Sequence, residues 1–146
     1  MKISKNFSEK TIYFSLLTVE KIIKLLKKTY KEDLTFYEFY ALLTVNYYGD
    51  TTMTDFAENL GIKKQQATRI INNLVEKGYV QRIYDESDRR IVFIRLTQEA
   101  KRYLDEHKMN ANALFVDSME DIGESEIKEL QNAIETINRI LPKMIV

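Results

Sequence analysis

Two clusters of side chains in this 146-residue chain have the types and spacing to do recognition chemistry. The first is Lys64, Gln65, Gln66, Thr68, Arg69 and Asn72, interleaved with an apolar stripe of Ala67, Ile70, Ile71, Leu74 and Val75. At helical spacing the stripe faces a core and turns Lys64, Gln65, Thr68, Arg69 and Asn72 outward, with Gln66 near the boundary. Gln and Asn can pair with the N6/N7 edge of adenine, Arg with O6 and N7 of guanine, and Thr with a thymine methyl. The second cluster is Asp85-Glu86-Ser87-Asp88-Arg89-Arg90, a charged run between two segments, 79–84 and 91–96, rich in β-branched and aromatic residues. Arg89 or Arg90 on such a tip can lie along phosphates or enter a narrow minor groove. The neighbouring acids are intelligible if Asp88 holds an arginine in one rotamer, since a planar guanidinium pairs well with a carboxylate.

Other chemistries are excluded by what the chain lacks. It has no cysteine, which removes disulfides, thiolate nucleophiles, thiol redox switches and sulfur-ligated metals. Its one histidine, His107, sits in an acidic, polar stretch and reads as an exposed surface residue without partners for a metal. No metal and no cofactor is expected. No nucleophile–base pair or phosphate-cradling glycine loop is visible, so the chain does not read as an enzyme. No apolar run is long enough to span a bilayer, and residues 1–9 lack a secretory signal, so the expectation is a cytoplasmic protein without a membrane partner.

The 22 basic and 22 acidic residues cancel overall, but their distribution is uneven. Residues 62–97 carry eight bases against four acids, and residues 98–146 carry six bases against ten acids. A local basic surface is enough to bind phosphates, while an acidic remainder limits indiscriminate adhesion.

Positioning these clusters requires a particular series of elements. Ile12, Leu16, Val19, Ile23, Leu26 and Tyr30 recur at spacings of four and three, predicting a long first helix. Thr35-Phe36-Tyr37-Glu38 is a capping box that opens a second helix ending at Gly49. Thr52 can cap a short third helix, which Gly61 terminates in the left-handed conformation. The fourth helix spans 64–77 and stops at Gly78, and the hairpin follows. Thr97 caps another long helix, and after Gly123 a last apolar-striped helix runs to Pro142. The fold class is therefore mainly α with a small β-hairpin. A short helix, a glycine turn and a second helix form a helix-turn-helix whose second helix suits the major groove. A hairpin directly after it makes a winged helix.

Three segments resemble the multiple-antibiotic-resistance regulator (MarR) family over nearly the whole chain. They are Met53–Ile62, Ala67–Val80 and Asp85–Thr97, the last being the most specific, with Asp-x-Arg followed by an apolar strand and Leu-Thr. The resemblance implies that residues 64–77 are the recognition helix, that Asp88 is the wing aspartate, and that Arg90 reaches the minor groove. Two positions depart from the family pattern, Lys63 in place of a small capping residue and Ala100 in place of glycine, and both concern helix edges. The resemblance further implies one domain over 1–146, with a winged helix-turn-helix lobe at 34–97 flanked by dimerisation helices at 8–32 and 98–146.

The function so implied is a sequence-specific regulator, a repressor, that binds a near-palindromic operator in double-stranded DNA as a homodimer. Relatives bind small phenolic or anionic molecules between dimer helices and DNA-binding lobe, so Tyr13, Phe36 and Tyr40 are the expected lining of an effector pocket. An aromatic stripe of this kind also serves as plain core. The competing reading is a winged-helix protein–protein interaction module whose basic hairpin meets an acidic partner.

Overall fold

Local side-chain chemistry sets most element boundaries in the computed structural model, which describes residues 5–30 and 33–144. The N-terminal segment is α1 (Lys5–Leu17), a π-helical stretch (Thr18–Ile23) and a short α2 (Lys24–Leu26). The expected single helix over 8–32 is thus interrupted, and its last two residues lie outside those described. Thr18, Val19, Ile22 and Ile23 are all β-branched, which crowds a regular α-helical turn. Upstream, the hydroxyls of Thr11, Ser15 and Thr18 donate to the carbonyls of Phe7, Ile12 and Phe14, a local competition that favours irregular helix.

The helix α3 (Phe36–Tyr48) opens on the expected capping box: the Thr35 hydroxyl accepts from the Glu38 backbone at 3.2 Å, and Glu38 accepts from the Thr35 backbone at 2.8 Å. Thr52 caps α4 (Met53–Leu60), and Gly61, at φ 63°, ends it in a conformation that a Cβ would penalise. α5 (Lys64–Glu76) starts where the sequence places it, although Lys63 supplies no side-chain cap. The departure at Lys63 costs a hydrogen bond and leaves the boundary alone. Gly78 then carries the chain into β2 (Val80–Tyr84), which pairs antiparallel with β3 (Val92–Leu96).

A third strand, β1 (Thr51–Thr52), joins the other edge of β3 and gives the order β1-β3-β2. Two residues are too few to show the alternation by which strands are read. Thr97 closes the lobe twice: its hydroxyl donates to the Gly78 carbonyl at 2.7 Å and accepts from the Ala100 backbone at 3.2 Å, opening α6 (Gln98–Ser118). Ala100 is fully buried, so its methyl is packed rather than intrusive.

The chain forms two compact units, Met1–Ala111 and Asn112–Val146, dividing inside α6. In the first, Phe39, Leu42, Phe56, Ile71, Leu74, Ile94 and Leu104 make a common core, each worth about 1.5–3 kcal/mol of burial. The buried stripe of α5 is Ala67, Ile70, Ile71 and Leu74. The second unit holds α7 (Glu124–Ile140) and a 3-10 turn (Leu141–Lys143) in which Pro142 ends regular helix. Large apolar side chains stand exposed on both terminal segments, among them Ile12, Phe14 and Leu16 on α1 and Leu130, Ile134 and Ile140 on α7. Among the described residues no helix is long and apolar enough to cross a membrane.

His107 corrects the sequence reading. It is buried, 5% exposed, with its ring centroid 4.3 Å from that of Phe39 and 6.5 Å from that of Tyr103. Its charged neighbours Glu106 and Lys108 suggested surface, whereas its spacing from Tyr103 and Ala111, four residues either way, places it on the inward face. Its Nε2 meets the Thr29 hydroxyl. That hydroxyl already donates to the Leu26 carbonyl at 2.7 Å, so Nε2 carries the proton and donates. Burial pushes the imidazole below its ordinary value of 6.5. Its contribution to stability is therefore complete above pH 6.5 and is lost progressively as pH falls below it, because the unfolded chain takes up the proton more readily. Urea titrations between pH 7.5 and 5 are expected to show this loss, and His107→Phe is expected to flatten it. An unchanged pH dependence in the variant would refute the assignment.

Candidate nucleic-acid interface

The outward face of α5 carries Lys64, Gln65, Gln66, Thr68, Arg69 and Asn72, all exposed, including Gln66, which the helical pattern placed near the boundary. Thr68 spends its hydroxyl on the Lys64 carbonyl at 2.9 Å, leaving its methyl as the group available to a partner. Asn72 accepts a hydrogen bond from the Arg82 guanidinium of β2, a contact between helix and hairpin absent from the sequence reading.

The hairpin tip is organised by its acids. Asp85 Oδ1 accepts from the backbones of Ser87 at 2.8 Å and Asp88 at 2.9 Å and from the Ser87 hydroxyl, making a tight side-chain-closed turn. Asp88 grips Arg90 with both oxygens: Oδ1 accepts from the Arg90 backbone at 3.0 Å and from Nε at 3.1 Å, and Oδ2 accepts from Nη2 at 3.2 Å. The hydrogen bonds from Arg90 hold the Asp88 carboxyl below its usual range, and those from Ser87 and the Asp88 backbone do the same for Asp85. Both acids are ionised at neutral pH. The Arg90 side chain is 92% exposed, and an exposed ion pair adds little stability, so what the pairing supplies is direction. Arg89 is also exposed and lines a surface cavity with Tyr84, Asp85 and Glu86.

Not every base of the 62–97 segment faces outward for a ligand. Arg95 is engaged by Asp50, with Nε 3.0 and 2.9 Å from the two carboxylate oxygens, tying β3 to the residue before β1. Lys77 donates to Glu38 Oε2 at 3.0 Å and to the Asp33 carbonyl at 2.5 Å. Lys63, Lys64, Arg69 and Arg89 have no ion-pair partner among the described residues. The free positive charge therefore concentrates on the start and outer face of α5, on the exposed Arg82 of β2, whose side-chain bond is to the neutral Asn72, and on the tip.

Glu38 is the residue that sequence reasoning under-read. It serves its capping box, yet it is 2% exposed and also accepts from Asn73 at 3.1 Å and Lys77 at 3.0 Å. Burial pushes its carboxyl up, but the Thr35 backbone, Lys77, Asn73 and the Thr35 hydroxyl together pull it below its ordinary 4.5. The carboxylate thereby ties the start of α3 to the last turn of α5. The available signal was Asn73 and Lys77 at a spacing of four, on a flank of α5 distinct from its outward face.

Of the aromatic trio, Phe36 and Tyr40 stack at 5.8 Å, and Lys27 Nζ lies 4.8 Å from the Phe36 ring centre. Tyr13 is exposed on α1 and makes no ring contact with either among the described residues. The first two are brought together; Tyr13 is not joined to them.

Residues 32–91 match the MarR family. YfiV of Bacillus subtilis (strain 168), described as an uncharacterized HTH-type transcriptional regulator, is 32% identical over 72 residues, covering 49% of this chain and 45% of that relative. The match thus spans less than half of that relative's length. The HTH-type transcriptional regulator BilQ of Clostridioides difficile (strain CD3) is 23% identical over 140 residues, 93% of either chain. Among solved structures, RV1404 of Mycobacterium tuberculosis superposes with a TM-score of 0.84 at 14% identity, covering 98% of this chain and 99% of that one. Streptococcus pneumoniae FabT, solved in complex with DNA, gives 0.62 at 23% identity over 94% of each chain. At these identities the structural likenesses establish the fold.

Proposed function

We propose, from the match of residues 32–91 to the MarR family and from the fold, that the chain is a winged-helix transcriptional regulator of that family, binding double-stranded DNA sequence-specifically as a homodimeric repressor on a near-palindromic operator in the cytoplasm. In this reading α5 enters the major groove, where Gln65, Arg69 and the Thr68 methyl meet base edges while Lys64 and Gln66 meet the backbone. The hairpin is the wing, and Arg90, aimed by Asp88, enters the adjacent minor groove with Arg89 on phosphates. The observation that carries the reading is the two-oxygen grip of Asp88 on an otherwise fully exposed Arg90, following an exposed basic and amide-bearing helix face. The exposed apolar side chains Ile12, Phe14 and Leu16 in the 8–32 segment and Leu130, Ile134 and Ile140 in the 98–146 segment support dimerisation by these segments, with 34–97 as the DNA-binding lobe. A two-fold dimer would read half-sites about one helical turn, roughly 34–36 Å, apart. The Phe36–Tyr40 stack beside Lys27 suits an anionic aromatic effector that releases the DNA.

Titrating purified protein with duplexes of varied sequence at several salt concentrations tests this. Affinity is expected to fall steeply with salt and to differ among sequences. Equal affinity for all duplexes at every salt would favour a protein–protein module instead. Gln65→Ala and Arg69→Ala are each expected to relax preference at particular base pairs, by about 1–3 kcal/mol, in competition assays with point-mutated duplexes. An operator released by no anionic aromatic compound would remove the effector from the proposal.

A further inference from the structure

The contact between Asn72 and Arg82 bears on which features of DNA this interface can read. Arg82 Nη2 lies 2.5 Å from an Asn72 side-chain terminus, and both residues are exposed. Guanidinium has donors and no acceptor, so the Asn72 atom that meets it must be the amide oxygen. The orientation of the amide is thus set by chemistry: Oδ1 faces Arg82, and the Nδ2 hydrogens remain open. An asparagine reads adenine by using its oxygen and its nitrogen together, accepting from N6 and donating to N7. With the oxygen committed to Arg82, that pairing is disfavoured. What the two residues present jointly is a set of donors, the Nδ2 hydrogens of Asn72 and the remaining N–H groups of Arg82, carrying one positive charge.

The placement is equally specific. Positions 65, 69 and 72 succeed one another at four and three residues along the exposed face of α5, so Asn72 extends the column begun by Gln65 and Arg69. Arg82 belongs to β2, the strand that leads from α5 into the hairpin tip. We propose that Asn72 and Arg82 act as one donor unit that engages an acceptor-only feature of the duplex, and that Arg82 is thereby a DNA-contacting residue of the interface. This rests on the DNA-binding reading above. In the major groove that α5 is proposed to enter, the features that offer two adjacent acceptors or a charged acceptor to such a pair are the O6/N7 edge of guanine and a phosphate oxygen.

A double-mutant cycle on the full-length protein tests the proposal, with operator affinity as the readout and thermal midpoints as the folding control. Arg82→Ala and Asn72→Ala are each expected to weaken binding roughly tenfold. Combined, they are expected to weaken it no more than the more severe single change, because each removes the same unit. Asn72→Asp, which keeps an acceptor for Arg82 and deletes the open donors, is expected to weaken binding at least as much as Asn72→Ala. Selection of duplexes by the single variants separates the two targets. Loss of a guanine preference at one position per half-site identifies the base edge. Uniform weakening with unaltered preference and a shallower salt slope identifies the phosphate. Losses that multiply in the double variant, or singles that bind like the parent, overturn the proposal alone. A parent that binds no duplex overturns the DNA-binding reading and this proposal with it.

Discussion

Glu38→Ala is expected to destabilise the protein by about 2–4 kcal/mol, the sum of a lost helix cap and lost charge-assisted hydrogen bonds in a buried setting. The carboxylate accepts from Thr35, Asn73 and Lys77 at 2.8–3.1 Å while 2% exposed, and no water can replace it without reopening the packing of α3 on α5. Glu38→Gln should cost less, because its amide oxygen still accepts one or two of these bonds while the charge that Lys77 meets is gone. The acid limb separates the two contributions. Because the Glu38 carboxyl is held below 4.5 in the folded protein, its stabilisation is fully present above that pH and is lost as pH falls through the lower folded value. Denaturant titrations from pH 7 downward should therefore show the difference between the parent and Glu38→Gln narrowing once the pH falls below 4.5. Curves that stay parallel would show that the charge has no special role.

Arg90→Ala is expected to weaken operator binding by about 10- to 100-fold, since the proposed two-fold dimer would lose the contact in both wings. The slope of log affinity against log salt should become shallower by about two, one for each wing. Most of the base preference should survive, because the α5 face is untouched. Asp88→Ala is the sharper companion. It removes a negative charge from a surface meant for phosphates, so simple charge counting has it strengthening binding. If the role of Asp88 is to aim Arg90 through Nε and Nη2, the variant binds more weakly than the parent despite its more favourable charge. A tighter-binding Asp88→Ala protein would leave the orienting role without support.

The fold was legible wherever the determining contact is short-range. Thr35 with Glu38, Thr52 with Asp55 and Thr97 with Ala100 are each three residues apart, and each marks a helix start that the structure reproduces. The Asp88–Arg90 pairing spans two residues and is visible for the same reason. What escaped depends on partners brought together from afar. His107 meets Thr29 across 78 positions, and Arg95 meets Asp50 across 45, so neither the partner of the histidine nor the loss of an apparent DNA-facing base can be seen in one dimension. β1 is too short to show a period, and its existence depends on β3 offering an open edge. The π-helical stretch left the apolar pattern of the first helix intact while altering its hydrogen bonding, and pattern alone does not report that.

In the proposed function α5 and the wing act together on DNA, once in each protomer of a dimer. Selecting bound sequences from a pool of random duplexes with purified protein tests this most directly. The expected result is an enriched motif of two inverted half-sites whose centres lie about 10–10.5 base pairs apart, weakened by added salt. A pool that emerges as random as it entered, at low salt and with folded protein, would contradict it.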